Sequence, residues 1–226
     1  EKTLSLEVQI ALCVQGEAEG LIWRKRGIQA GDHLLIGGLL GTGVLFAASM
    51  KGKARPYDLD RALAQMAESQ HERVALLREF QRTHPGQLHA ATDITGFGLL
   101  GHLGEMLVKS CEDDSPTQVL LHAEEIPALK GALELLEAGH TSSLAPANRK
   151  AWSFLDPQPK FNSIRPVNLN LGTITVGSRR HRSLLELLVD PQTCGPLLIA
   201  VAPNMADALL AKEGKNKWWK IGSAIM

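Results

Sequence analysis

Short apolar segments alternate along this chain with segments of helical periodicity, and this alternation is the feature that most constrains the fold. Residues 4–14 alternate apolar and polar side chains, which predicts a half-buried strand. Residues 58–83 carry apolar side chains at helical spacing, which predicts one long helix capped by Asp58. Because strands that alternate with helices pack in layers, we expect a layered α/β or α+β domain.

The rest of the chain extends this pattern. Further strands are predicted at residues 33–38, 87–93, 118–123 and 219–226. Further helices are predicted at residues 44–52, 97–109, 128–139 and 205–212. Residues 141–170 are rich in Ser, Pro and Asn, so we expect a long excursion there rather than regular elements. Apolar runs on both sides of DPQTCG, residues 190–195, predict a turn at that motif.

Composition restricts the environment and the partners of the chain. Lys plus Arg equals Asp plus Glu at 24 each, so no bulk charge favours nucleic acid or an anionic membrane. No apolar segment is long enough to cross a bilayer. The cysteines, Cys13, Cys111 and Cys194, are few and widely spaced, which favours a reducing compartment. We therefore expect a cytoplasmic protein that binds neither nucleic acid nor membrane.

A glycine-rich turn, GGLLGTG, occupies residues 37–43. It lacks the Lys-Ser/Thr of a P-loop and does not match G-x-G-x-x-G. The favoured interpretation is a tight strand-to-helix turn. The alternative is a backbone cradle for an anion at the start of the next helix, with Gly41, Thr42 and Gly43 as candidate cofactor-binding residues.

Asp93 lies between a predicted strand and a predicted helix, in ATDITGFGLLGHL, residues 91–103. One interpretation is that its carboxylate caps the helix through backbone N–H groups. The other is that it binds Mg²⁺, which takes one or two carboxylates together with substrate phosphates. Gly96 and Gly98 have no side chains, so a polyphosphate could approach the backbone beside Asp93. The residues alone leave both interpretations open.

Other polar residues carry weaker signals. The histidines lack metal-ligand spacing, and His102, inside an apolar helix, is interpreted as a core residue. Basic runs at 24–27 and 179–182 are interpreted as solvated faces, with a phosphate contact as the less favoured alternative. Cys194 has no neighbouring base in the local sequence, so it is interpreted as an inert residue rather than a nucleophile.

Three motifs together resemble selenophosphate synthetase (selenide, water dikinase). They are GDHLLIGGLLGTGVLFAASMKGKA at 31–54, ATDITGFGLLGHLGEML at 91–107 and LVDPQTCGPLLIAV at 188–201. The resemblance covers the family's C-terminal region from about residue 4 to the end. It implies an α+β fold, a layered α/β/α domain with a mixed sheet and flanking helices, like the C-terminal domain of aminoimidazole ribonucleotide synthetase. The superfamily of that enzyme also includes thiamine monophosphate kinase and a hydrogenase maturation protein.

The resemblance implies a two-domain enzyme that makes selenophosphate, AMP and orthophosphate from selenide, ATP and water, with Mg²⁺. Residues 1–15 would be the last strand of a missing N-terminal ATP-binding domain, and residues 16–226 the C-terminal domain. The family's reactive Cys or selenocysteine and its catalytic Lys lie in that N-terminal domain, so no catalytic residue is expected here and the chain alone is expected to be inactive. Asp93 maps onto one of the family's metal-binding aspartates. The implied partners are ATP, selenide, the N-terminal domain and a second copy of the longer protein.

The sequence departs from the family at two places. Gly38 and Leu39 stand where the family usually has Lys-Pro, and the motif DPQTCGP replaces DPQTSGG, with Cys194 and Pro196 as the changed residues. The departures indicate sequence drift or a specialised subgroup. They leave open a non-catalytic binding or interaction module of the same fold. A related purine-pathway synthetase is the other alternative, which the string DITGFGLLGHL disfavours.

Overall fold

The computed structural model describes most of the chain. The described residues are 13, 15–18, 20, 22–107, 118–156 and 165–225. Most of the strand predicted at 4–14, and Cys111, lie outside them. Among the described residues, no helix has the length and apolar character that a membrane span requires.

A mixed, seven-stranded sheet forms the middle layer. The strands are β1 (His33–Ile36), β2 (Leu88–Asp93), β3 (Gln118–His122), β4 (Leu155–Asp156), β5 (Val167–Asn170), β6 (Leu197–Val201) and β7 (Trp219–Ile225). Their spatial order is β2-β6-β1-β7-β3-β5-β4. β5 pairs in parallel with β3 and β4, and the other pairs are antiparallel. The predicted mixed sheet is confirmed.

Helices cover both faces of this sheet. They are α1 (Thr42–Ser49), α2 (Pro56–Ala67), α3 (His71–Thr83), α4 (Gly98–Leu107), α5 (Ala132–Glu137), α6 (Ala145–Asn148), α7 (Arg179–Val189) and α8 (Pro203–Leu210). Because side chains alternate along a strand, β1 contributes to two cores. Leu34 and Ile36 pack in the larger core with α1, α4, α5 and α7, whereas Leu35 packs in the smaller core with α3 and α8. The predicted layered α+β architecture is therefore confirmed.

The single helix predicted over 58–83 is wrong. Helix α2 ends at Ala67, where Glu68 adopts an extended backbone conformation, and α3 begins at His71. Ala62 of α2 packs in the larger core, whereas Leu77 of α3 packs in the smaller core. The helix is interrupted because its two halves pack in different cores. The periodicity of the sequence does not show this interruption.

Asp58 does not cap α2, contrary to the prediction. Arg55 occupies the N-cap position without a side-chain hydrogen bond, and Asp58 is buried at the third residue of the helix, within its first turn. A methyl group on Gly131 would lie 2.6 Å from Asp58 Oδ2, so the carboxylate is packed closely against that glycine. The Asp58 side chain therefore packs against Gly131 instead of capping α2.

The predicted long excursion at 141–170 is also wrong for its described part. It contains α6, a 3₁₀ turn at Arg149–Phe154 and the strands β4 and β5, and residues 157–164 lie outside the described residues. The buried Asn148 side chain donates hydrogen bonds to Gly96 O (2.8 Å) and Val189 O (3.0 Å). This segment therefore supports the loop that follows Asp93.

Candidate functional site

Asp93 is the last residue of β2, at the edge of the sheet. Its register partner is Leu197 of β6. The side chain is exposed, and no hydrogen bond or ion pair joins its carboxylate to any residue in the described ranges. Because α4 begins only at Gly98, the capping interpretation is wrong. The carboxylate is therefore free to bind a ligand.

The backbone on both sides of this carboxylate is held in place. Ile94 is fully buried, and its N–H donates to Pro196 O (2.9 Å). Gln192 N–H donates to Thr95 O (3.0 Å). The loop after Asp93 is thus bound to the DPQTCGP segment, so the carboxylate is presented from a rigid support.

The two glycines of the Asp93 loop have different roles. Gly98 has φ +71°, and a Cβ there would lie 2.8 Å from the backbone carbon of Val189. Gly98 is therefore required for packing against α7, rather than for the predicted approach of a polyphosphate. A Cβ on Gly96 would meet no atom within 4 Å, so open space lies beside this residue. Gly96 therefore remains a candidate ligand-binding residue.

A polar chain supports the same loop from α4. The ring Nε2 of His102 lies 3.1 Å from Thr95 Oγ1, and its Nδ1 lies 3.2 Å from Glu105 Oε2. Lys25 Nζ donates to the same Glu105 oxygen at 2.7 Å. Burial, with Lys25 acting in the same direction, lowers the pKa of His102, which favours the neutral ring. His102 is a core residue as predicted. Lys25 joins the segment before β1 to α4 through Glu105.

The glycine-rich turn is a closed strand-to-helix connection. Gly41 N–H and Thr42 N–H donate to Gln192 Oε1 at 2.9 and 3.2 Å. Val44 N–H donates to Asp190 Oδ2 at 3.2 Å. The N–H groups at the start of α1 are thus bound by side chains of the chain itself. An anion would have to displace them, so Gly41, Thr42 and Gly43 are not part of the site that we propose.

Sequence reasoning missed this use of Asp190 and Gln192. Both are buried, at 1% and 4% exposure. The only local signal was the presence of two strongly polar side chains just after the apolar end of α7. Burial raises the pKa of the Asp190 carboxyl to about 7, although hydrogen bonds from Val44 and Gln192 act in the opposite direction.

The Asp190 carboxyl predicts a pH dependence of stability. Its pKa is about 7 in the folded protein against an ordinary 3.8, so the folded state binds more protons than the unfolded state between these values. The unfolding free energy should fall as the pH rises through that interval, by up to about 1.4 kcal/mol per pH unit, and level off above it. Urea unfolding from pH 5 to 8 measures this effect.

Asp190→Asn should remove this contribution, since the amide does not titrate. Asp60→Asn, at an exposed position on α2, should keep the wild-type profile. The assignment is wrong if the stability difference between wild type and Asp190→Asn does not change with pH.

The residues that depart from the resembled family lie together. A Cβ on Gly38 would lie 3.0 Å from Pro196 Cβ, so these two positions are in contact. Cys194 is exposed with φ +48°, in the left-handed region. Within the described part of the chain its thiol makes no hydrogen bond, and its interpretation as an inert residue stays a prediction.

The described residues contain no group of three or more His, Cys, Asp or Glu side chains that could hold a metal ion by themselves. Asp93 therefore stays a predicted single ligand rather than part of a ligand cluster. Mg²⁺ is commonly held by one or two carboxylates with phosphate oxygens and water. An exposed, unpaired carboxylate fits that contribution.

The chain matches the family described as "AIR synthase related protein, C-terminal domain" over residues 29–225. Relatives named "Selenide, water dikinase" include a protein of Pelobacter propionicus, 36% identical over 190 residues, and one of Bdellovibrio bacteriovorus, 30% identical over 197 residues. These matches cover 84% and 87% of this chain, but 46% and 48% of those proteins. The chain thus spans about half the length of the curated relatives that it matches.

Two solved structures share the fold at low identity. The hydrogenase maturation protein HypE of E. coli has a TM-score of 0.51 at 15% identity, and the match covers 90% of this chain and 46% of that chain. Thiamine-monophosphate kinase of Stenotrophomonas maltophilia has a TM-score of 0.50 at 17% identity, with coverages of 90% and 50%. At these identities the likeness shows the fold alone.

Proposed function

Because this chain belongs to the AIR synthase related family, as its C-terminal domain, we propose that it forms the C-terminal part of a cytoplasmic selenide, water dikinase. In this proposal it contributes Asp93 to a Mg²⁺–ATP site that it shares with an N-terminal domain. The observation that carries the proposal is the free carboxylate at the end of β2, within the motif that resembles the family.

The residues around Asp93 support a role in holding phosphate-bound Mg²⁺. The metal, when bound, would offset phosphate charge during ATP cleavage. Asp93 provides a carboxylate oxygen, and the open space at Gly96 leaves room for a polyphosphate. Thr95 and His102 hold the loop so that the carboxylate needs little reorganisation to bind.

The relatives' names favour this function over the alternatives. Relatives named selenide, water dikinase in several bacteria match most of the chain. A purine-pathway synthetase would share the fold but not these names. A non-catalytic module is favoured only by the departures at Gly38, Leu39, Cys194 and Pro196, and the structure accommodates the contact between Gly38 and Pro196.

Selenide dependence tests the proposal. A longer protein that joins this chain to an N-terminal ATP-binding domain should convert ATP to AMP and orthophosphate only when selenide is present. The 226-residue chain alone should bind Mg²⁺ weakly and release no AMP, since one carboxylate without fixed phosphates is a poor Mg²⁺ site. ³¹P NMR of both reactions, with and without selenide, measures this.

Each alternative gives a different result in the same assay. Selenide-dependent AMP release by the chain alone would show that a catalytic nucleophile is present within it. ATP turnover by the longer protein that ignores selenide would favour another synthetase of the family. No turnover by either protein would favour a binding module.

A further inference from the structure

A second candidate binding region lies apart from Asp93. A cavity of about 610 Å³ opens between the β1–α1 turn, helices α2 and α3, and the loop before β6. Its size suits a small organic molecule. Both polar and apolar side chains line it. The lining residues that matter here are Arg61, Glu68, Arg73, Leu129 and Trp219.

Arg73 is the feature of this cavity that requires explanation. Its side chain is 7% exposed, and its Nε has no hydrogen-bond partner among the described residues. Nη1 donates to Gln70 Oε1 at 3.2 Å, and Nη2 lies 3.6 Å from Glu68 Oε1. Burial lowers the pKa of Arg73, but a guanidinium remains charged at neutral pH. A buried cation with an unused donor is costly unless an anion compensates it.

The surroundings hold the Arg73 side chain in this position. A Cβ on Gly37 would lie 3.2 Å from Arg73 Cδ and 3.2 Å from Trp218 Cζ3, so the arginine stem lies close against the end of β1. Gln65 fixes the adjoining turn, since it accepts from Leu39 N–H at 3.0 Å and donates to Leu39 O at 2.9 Å. The cavity wall is therefore preorganised rather than loose.

The charge of the cavity favours an anion. Two arginines, Arg61 and Arg73, face one carboxylate, Glu68. Glu68 forms an ion pair with Arg73, with 3.6 Å between Nη2 and Oε1, and its side chain is 28% exposed, so it offsets one of the two guanidinium charges. Glu72 also acts on Arg73, from outside the lining. Guanidinium groups bind phosphate and carboxylate oxygens through paired N–H donors. Leu129 and Trp219 offer apolar surface for the remainder of a larger ligand.

We propose that this cavity binds a phosphate group, held by Arg73 and Arg61. The group is either free orthophosphate or the phosphate of a nucleotide. Gly37 N–H donates to Leu197 O, and Leu197 is the register partner of Asp93. Gly37, which lines the cavity, therefore lies two strand spacings, about 10 Å, from Asp93. The proposal does not depend on the metal role of Asp93, which lies outside the cavity lining.

The test is a ligand titration of the 226-residue chain at constant ionic strength. Orthophosphate, AMP and chloride are added separately, and tryptophan fluorescence and melting temperature are recorded, since Trp219 lines the cavity. Orthophosphate or AMP should shift both signals at concentrations where chloride does not. Tighter binding of AMP identifies a nucleotide phosphate as the ligand, and equal or weaker binding identifies free phosphate.

Three variants decide the assignment. Arg73→Gln and Arg61→Gln should each weaken binding about tenfold or more, because each removes charged hydrogen bonds to the anion. Arg82→Gln is the matched control, because Arg82 lies exposed on α3 in an ion pair with Glu79 and should leave binding unchanged. If Arg73→Gln does not fold, the Arg61→Gln variant decides the test, because Arg61 is exposed. Binding no stronger than that of chloride, or binding unchanged in the cavity variants that fold, would overturn the proposal.

Discussion

Replacing Asp93 with Asn should slow selenide-dependent ATP cleavage by the longer protein about a hundredfold or more. This corresponds to about 2.7 kcal/mol or more on the activation barrier. The amide keeps the shape of the carboxylate and one oxygen, but it loses the negative charge that attracts Mg²⁺. Because the Asp93 carboxylate makes no hydrogen bond with a described residue, folding stability should change by less than about 1 kcal/mol.

The Mg²⁺ dependence identifies the cause of the slower reaction. If the metal binds less tightly, raising the Mg²⁺ concentration should restore part of the rate. Asp207→Asn replaces another exposed carboxylate, on α8, and should leave turnover and melting temperature unchanged. Normal turnover of Asp93→Asn at low Mg²⁺ would show that the metal assignment is wrong.

Replacing Gly195 with Ala should destabilise the fold by about 3 kcal/mol, at the upper end for an added methyl group in a packed interior. A Cβ at this position would lie 1.7 Å from Ile94 O and 2.8 Å from Gln192 Cβ. The backbone oxygen cannot rotate away as a flexible side chain would, so the two segments must separate. Because Ile94 follows Asp93 directly, the same change should also displace the carboxylate.

Gly96→Ala provides the matched control for this substitution. A Cβ on Gly96 meets no atom within 4 Å, so the stability should stay within about 0.5 kcal/mol of wild type. Urea unfolding of the chain measures both variants. Wild-type stability of Gly195→Ala would mean that the DPQTCGP segment does not pack against Ile94 as the structure has it.

Much of the fold could be predicted because burial patterns are local. The strands β1, β2, β3 and β7 each coincide with an apolar run that is visible in the sequence. The errors over 58–83, predicted as one long helix, and over 141–170, predicted as an excursion, could not be found from neighbouring residues alone. In the first, an apolar stripe continues across the break at Glu68, and in the second, polar residues such as Asn148 are buried by hydrogen bonds to distant carbonyls.

The candidate site, like the fold, could be predicted only in part from the sequence. The motif around Asp93 identified the residue without a structure, through its resemblance to a known family. Of its two competing explanations, the structure excludes the helix cap, because α4 begins at Gly98 and the carboxylate is free, while the metal ligand stays a prediction. The Arg73 cavity had no sequence signal, since an arginine within a polar helix predicts exposure.

The sequence by itself determined the layered architecture, the family resemblance and the candidate carboxylate Asp93, because periodicity and short motifs are properties of neighbouring residues. The tertiary structure decided which polar groups form hydrogen bonds within the chain and which are left free to bind a ligand. The N–H groups of the glycine-rich turn are bound by Gln192, which lies 150 residues beyond Thr42, while the carboxylate of Asp93 is left open at the sheet edge. Hydrogen bonds over such separations depend on how the layers pack, and packing brings together side chains that no local pattern relates.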